Sequence, residues 1–230
     1  MIEFPKIKFC GLSKLKDIEV AIKLNINWAG LIYVKSSPRY VNFQTSDRII
    51  KKYINMINFV GVFVDPDDDY IERAIKSGID TIQLHGKETP ERCAYIGRVF
   101  QLPIIKAFSI YSEEDLKNIT NYKDCCDMFL FDAKKSKKDI NIGGNGKSFD
   151  WNIIKNNESW LNSIKPWFLS GGLSDKNILN AINLTKAKAV DISSGIEKYK
   201  GCKDSNLMKE FIFKLKKANN INIDNKFLEK

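Results

Sequence analysis

Residues 7–34 read IKFCGLSKLKDIEVAIKLNINWAGLIYV, and their reading decides the fold. Ile7 to Cys10 is a short apolar, β-branched run; Leu15, Ile18, Ala21 and Ile22 then recur at helical spacing; Gly30 to Val34 is a second apolar run. Strand, helix, strand is the unit. Working outward, the same kind of run returns at Phe59 to Val64, Thr81 to Leu84, Ile104 to Ile110, Met128 to Phe131, Trp167 to Leu169 and Ala189 to Ile192. Helical spacing resumes at Leu207, Phe211 and Leu215. Helix starts are marked by Thr89 before Pro90, an N-cap ahead of a first-turn proline, and by a capping box over Ser112 to Asp115. Near-continuous apolar strands separated by helices imply a parallel sheet covered on both faces. Eight such units in 230 residues fit a closed (β/α)8 TIM barrel of the α/β class better than a doubly wound open sheet. The expected organisation is one barrel domain over residues 1–218, with a polar tail over 219–230.

The chain is 43% apolar and 28% charged, which excludes disorder for most of it. No run reaches the length of uncharged apolar residues that a membrane span needs, and Met1 to Lys8 lacks a signal-peptide core. The expectation is a cytoplasmic protein with no membrane partner. Cys10, Cys93, Cys125, Cys126 and Cys202 form no CxxC pair or Cys/His cluster, so free thiols and no metal are expected. The net charge of +9 invites a nucleic-acid partner, but 32 of the 37 basic residues are Lys and only five are Arg, spread over every solvated face. A mildly basic enzyme with an anionic small-molecule ligand, and no nucleic acid, is the better reading.

Polar residues gather at the C-terminal ends of the runs: Cys10-Gly11, Ser36 to Tyr40, His85-Gly86, Asp132, Ser170-Gly171-Gly172 and Ser193-Ser194-Gly195. In a parallel barrel these ends share one rim, where catalytic groups converge. The two late clusters, Gly171-Gly172 ahead of a helix expected to open near Ser174 and Ser193-Ser194-Gly195 after the last strand, suit backbone N–H donation to a phosphate, against the alternative that glycine merely turns the chain. Cys10 reads as a small buried hydrophobe or a reactive thiol, and Asp132 as a helix cap or an acid/base group. His85, the only histidine, is either a structural hydrogen-bonder or a site residue, and Arg39 either solvated or a carboxylate clamp.

Lys8 to Leu12 (KFCGL), Ser37 to Val41 (SPRYV), Val60 to Val64 (VGVFV) and Gln83 to Gly86 (QLHG), with Gly143 to Gly146, Phe149 to Trp151, Ser170 to Leu173 and Val190 to Glu197 followed by Gly201 and Lys203-Asp204, resemble the phosphoribosylanthranilate isomerase family over residues 6–217. Asn145, Asp65 and Phe9 depart from the family's usual Thr, Asn and Ile. The resemblance implies an isomerase of tryptophan biosynthesis. It would convert N-(5-phosphoribosyl)anthranilate, a phosphosugar, into 1-(2-carboxyphenylamino)-1-deoxyribulose 5-phosphate by an Amadori rearrangement, without cofactor or metal, as monomer or homodimer. By motif match, Cys10 is the general base and Asp132 the general acid. Arg39 would meet the anthranilate carboxylate and Asp191 would lie near its amine, with His85 also at the substrate.

On physical grounds Cys10 needs a helix dipole or a cation to act as thiolate, and alternation puts Lys8 on its face; Asp132 must stay protonated, which desolvation favours. The lysine-rich stretch Lys134 to Lys147, with glycines at 143, 144 and 146, reads as a lid. The rivals are the isomerase of histidine biosynthesis, whose acid and base are both aspartates, and a non-catalytic phosphate-ligand or RNA-binding barrel.

Overall fold

The computed structural model describes residues 4–133 and 151–219. Alternation along each strand sorts its residues into two layers. In β1 (Lys6–Cys10), Ile7 and Phe9 join the core between barrel and helices, whereas Cys10 belongs to the barrel interior. In β3 (Asn58–Phe63), Phe59 and Phe63 face outward while Val60 and Val62 face inward with Ile105, Ala107, Leu130 and Phe168. Both faces are therefore apolar, which is why the strands read as unbroken hydrophobic runs.

The remaining strands are β2 (Trp28–Ile32), β4 (Thr81–Leu84), β5 (Ile104–Ile110), β6 (Met128–Ala133), β7 (Trp167–Ser170) and β8 (Ala189–Ile192). All eight are parallel, each pairs with the next, and β1 pairs with β8 to close the barrel. The closed barrel excludes the open sheet. β2 starts two residues before the expected Gly30, because Trp28 and Ala29 pair with Lys8 and Phe9 of β1, and the Trp28 ring meets Phe168 edge-on at 5.1 Å.

The helices are α1 (Leu15–Lys23), α2 (Phe43–Tyr53), α3 (Asp68–Ser77), α4 (Pro90–Phe100), α5 (Glu113–Lys117), α6 (Asn152–Asn156), α7 (Glu158–Ile164), α8 (Ile178–Thr185) and α9 (Ser205–Ala218). Their starts follow the sequence chemistry: the Thr89 hydroxyl accepts from the Arg92 N–H at 3.2 Å, and the Asp115 carboxylate accepts from the Ser112 N–H at 2.8 Å. Burying Ile18 and Ala21 of α1, and Phe211 and Leu215 of α9, confirms both helical patterns. The Phe211 ring stands against Phe9 at 6.3 Å, docking the last helix on the first strand. Truncating either of these fully buried rings to Ala would cost about 3–5 kcal/mol.

Two features differ from expectation. α8 starts at Ile178, not near Ser174: residues 174–177 form a turn in which the Asn177 side chain accepts from the Ser174 N–H and donates to the Gly172 carbonyl. Beyond β8, a short antiparallel pair, β9 (Glu197–Tyr199) and β10 (Cys202–Lys203), precedes α9. The proposed lid over 134–147 and the tail from residue 220 lie outside the described residues.

Candidate active site

The inward phase of the strands, continued past their C-terminal ends, brings Cys10, Gln83, His85, Asp132, Ser170 and Asp191 to the mouth of the barrel. With Arg39, Gly171, Gly172, Ser193 and Ser194 they line a cavity of about 240 Å³. Every site residue expected from the sequence lines it except Gly195. The apolar part of the wall is Ile32, Val62 and Leu173.

At its floor Lys8 is fully buried and its Nζ donates to Asp191 Oδ1 at 2.9 Å. The pairing follows from closure, since Lys8 and Asp191 are register partners across β1 and β8. Burial works against the Lys8 ammonium, yet Asp191 and Cys10 together hold its pKa above the ordinary value. Asp191 Oδ2 lies 3.4 Å from the Ser170 hydroxyl, which donates to it. Cys10 is 6% exposed, and burial pushes its thiol up; Lys8 and Lys203 pull it down, while Asp191 adds to the rise. Lys8 is thus on the expected face, where it serves both Asp191 and Cys10, and burial favours the thiol form of Cys10.

On the opposite wall, His85 Nε2 stands 3.5 Å from Asp132 Oδ2, and His85 Nδ1 is 3.1 Å from Gln83 Nε2. The loop carrying His85 is held from behind. Glu88 accepts from the N–H groups of Asp65 and Gly86, and buried Lys106 donates to Glu88 Oε2 and to the Gly86 carbonyl, both at 2.9 Å.

Arg39 is at the rim, but its fork is engaged: Nε and one terminal nitrogen donate to the two Glu197 oxygens at 2.6 and 2.7 Å. These bonds use two of the five N–H donors of a guanidinium and leave its other edge. Glu197 also accepts from Lys203 Nζ at 2.8 Å and from the Gly201 N–H at 3.2 Å. Burial opposes ionisation of Glu197, yet Arg39 and Lys203 hold its pKa down at about 2. Lys203 itself is lowered, because burial costs its ammonium more than Glu197 returns. Its Nζ also donates to the Ser193 carbonyl at 2.9 Å, joining the Arg39 clamp to the loop after β8.

The two glycine clusters differ in what they need glycine for. Gly171 and Gly172 have φ of 93° and 65°, and a Cβ on Gly172 would meet nothing within 4 Å, so it faces open space at the cavity. A Cβ on Gly195 would instead collide with the Leu173 carbonyl oxygen, so this glycine lets the loop after β8 lie on the loop after β7. The turn ahead of α8 also separates Gly172 from that helix's N-terminus, which removes the helix dipole expected to act directly on it.

The sequence reading missed Gln83, Glu197 and Lys203 as site residues. Gln83 had a signal, a lone amide in the inward phase between outward Ile82 and Leu84. Among the described residues no three His, Cys, Asp or Glu side chains are grouped to hold a metal ion, and no helix is long and apolar enough to cross a membrane.

A closed (β/α)8 barrel with a thiol, an imidazole and two carboxyl groups converging at its C-terminal mouth has the build of a barrel enzyme. Residues 7–214 match the N-(5'-phosphoribosyl)anthranilate (PRA) isomerase family. The N-(5'-phosphoribosyl)anthranilate isomerase of Rhizobium johnstonii is 37% identical over 94% of this chain and 96% of the relative, and that of Zymomonas mobilis 38% identical over 90% and 96%. Among solved structures, phosphoribosyl anthranilate isomerase from Thermotoga maritima superimposes with a TM-score of 0.81 at 30% identity, covering 93% of this chain and 99% of that one. A phosphoribosyl anthranilate isomerase in complex with reduced 1-(o-carboxyphenylamino)-1-deoxyribulose 5-phosphate superimposes with a TM-score of 0.79 at 28% identity, over 93% and 99% of the two chains. The chain belongs to the N-(5'-phosphoribosyl)anthranilate isomerase family and is an enzyme.

Proposed function

We propose that the enzyme carries out the Amadori rearrangement of N-(5-phosphoribosyl)anthranilate to 1-(2-carboxyphenylamino)-1-deoxyribulose 5-phosphate, with Asp132 as general acid and Cys10 as general base. The observation that carries this reading is that Cys10 and Asp132 line one cavity from β1 and β6, three places apart round the closed barrel. The acid protonates the furanose ring oxygen as the C1–O bond breaks, giving a protonated imine. The base then removes the C2 proton, the electron pair moves to C1=C2, and the enolamine tautomerises to the ketose. Neither step calls for an electron carrier. Such a reaction, within tryptophan biosynthesis, suits a cytoplasmic enzyme.

The remaining residues fit the two anionic ends of this substrate. The backbone N–H groups of Gly171, Gly172, Ser193 and Ser194 are the donors for the phosphate, with Gly195 allowing the two loops to meet. The free edge of the Arg39 fork, steadied by Glu197, is the donor for the anthranilate carboxylate. Asp191, charged against Lys8, suits the anthranilate amine. The Cys10 thiol is raised by burial, so the base forms as the thiolate only with help from the Lys8 and Lys203 cations, and substrate binding must favour it further.

The test follows the decay of substrate fluorescence with freshly generated N-(5-phosphoribosyl)anthranilate. Cys10→Ser and Asp132→Asn should each lower kcat by about 10² to 10⁴, the usual worth of one general acid or base, with unchanged thermal unfolding. Retention of a third or more of wild-type kcat by either variant would remove that residue from its role.

A further inference from the structure

Gln83 is fully buried in the cavity wall, and its carboxamide nitrogen is bonded to His85 Nδ1. Its carbonyl oxygen Oε1 is buried with no hydrogen-bond partner among the described residues. An orphaned buried acceptor costs about 1–3 kcal/mol, so an apolar residue of the same shape would be the more stable choice unless the amide has a task. Across the ring, His85 Nε2 faces the Asp132 carboxyl at 3.5 Å. The imidazole thus bridges an amide, which can offer either a donor or an acceptor, and a carboxyl group, which changes from acceptor to donor when it is protonated.

The two changes match. With the amide N–H directed at Nδ1, that nitrogen accepts, the imidazole proton sits on Nε2, and it points at a carboxylate. With the amide reversed, the carbonyl accepts from Nδ1–H, and Nε2 presents a lone pair to the O–H of a carboxylic acid. Going from the first arrangement to the second, the pair takes up one proton from solvent: Asp132 ends with one more, while His85 exchanges its Nε2 proton for one on Nδ1 and stays neutral. Because Oε1 holds no bond on its outer side, either orientation makes the same single hydrogen bond, and reversal sacrifices none.

We propose that Gln83 is the positioning residue that sets the tautomer of His85, and through it supports both protonation states of Asp132 without placing a charge on the imidazole. This rests on Asp132 being the acid. A cation in place of the neutral ring would stabilise the carboxylate and work against its protonation. Among the described residues, Asp65 after β3, Glu88 in the loop, Lys106 on β5 and Tyr122 are all engaged with the loop backbone, and the loop itself carries the exposed Lys87. Across the cavity stand Cys10, Arg39 and Asp191, the last two already ion-paired.

The chain has one histidine, so imidazole-¹⁵N histidine labelling gives a single pair of ring resonances to follow by NMR. In the wild-type protein a single tautomer is expected, Nε2–H beside a carboxylate at Asp132 or Nδ1–H beside its acid form. Gln83→Glu offers Nδ1 only an acceptor, and should hold the ring proton on Nδ1. Gln83→Met offers nothing and should leave a mixture of tautomers. Both should lower kcat about 10- to 100-fold, in line with the cost of a misset imidazole, while KM changes less than about twofold and thermal unfolding confirms folding. The wild-type ring pattern retained in both variants overturns the proposal, whatever the activity. A changed pattern with wild-type kcat overturns the support of Asp132 through His85, whereas the acid role itself fails only if Asp132→Asn keeps its kcat, which tells the two failures apart.

Discussion

Replacing Glu197 by Gln keeps the shape of the side chain that ties Arg39, Lys203 and the Gly201 N–H together, and removes its charge. Two routes give the size of the loss. The carboxyl is held at about 2 against 4.5 for an ordinary glutamate, and at about 1.4 kcal/mol per tenfold this is about 3 kcal/mol of folding free energy. Independently, taking one partner from a buried ion pair costs about 3–5 kcal/mol. The second applies because the side chains of Glu197 and Lys203 are only 3% and 1% exposed. The amide keeps one acceptor oxygen, so the lower end, about 3 kcal/mol, is expected, and for a chain of this size that is about 6–12 °C in Tm.

The pH dependence carries the sign of the argument. Because the folded-state pKa is depressed, the stabilisation is fully present above about pH 5 and is lost as pH falls through the folded value near 2. Urea unfolding of wild type and Glu197→Gln at a series of pH values should therefore give a constant gap from pH 7 to 5 that closes below it. Released from Glu197, Arg39 should also bind the anthranilate end less well and raise KM. A Tm at pH 7 within about 2 °C of wild type, or a gap that persists undiminished at the acid end, would refute the role given to this carboxylate.

Lys8→Met leaves Asp191 as an uncompensated charge in the barrel interior, and equilibrium unfolding should show a loss of about 3–5 kcal/mol. Because the Cys10 thiol is raised by burial, its alkylation by iodoacetamide, followed by mass spectrometry, should be slower at pH 8 than that of the half-buried Cys202 and should still be climbing above pH 9; a plateau below pH 8 would contradict the assignment. Gly172→Val puts a side chain into open space at positive φ, so it should raise KM for the phosphorylated substrate while leaving binding of a dephosphorylated product analogue unchanged beyond general destabilisation, as judged by calorimetry.

The barrel was legible because its strands are buried on both faces. Eight apolar runs fit a parallel closed sheet better than an open one, and chain direction alone sends Cys10, His85 and Asp132 to one rim, while Asp191 was marked only by the family resemblance. What stayed hidden was pairing. Lys8 and Asp191 are 183 residues apart, and Arg39 and Glu197 158 apart. Neither partner can be read until β1 meets β8 and the loops beyond them stack. The β9–β10 pair left no hydrophobic trace, since Glu197, Lys198 and Tyr199 are held by a turn and by ion pairs rather than by core burial. Gly195 shows the same limit: spacing marked it as a phosphate donor, whereas its contact with Leu173, from another loop, already accounts for the glycine.

Among the described residues of this lysine-rich chain, the buried lysines are Lys8, Lys106 and Lys203. Each is paired with a carboxylate: Asp191, Glu88 and Glu197. Desolvation makes such pairs no more stabilising than well-packed apolar residues of similar volume, so stability alone gives no reason for three of them. Their geometry gives one. Lys8 fixes Asp191 and stands beside Cys10; Lys106 grips the carbonyl of Gly86, next to His85; Lys203 grips the carbonyl of Ser193 and, through Glu197, the fork of Arg39. A long aliphatic stem crosses the core where apolar atoms belong, and its ammonium delivers up to three donors to backbone or carboxylate oxygens at the rim. Rigid placement of groups carried by loops is what proton transfer at a carbon acid demands, because a displacement of about 1 Å can cost 10²-fold in rate. The buried charges are therefore best understood as the means by which a barrel assembled from apolar strands holds polar loops still.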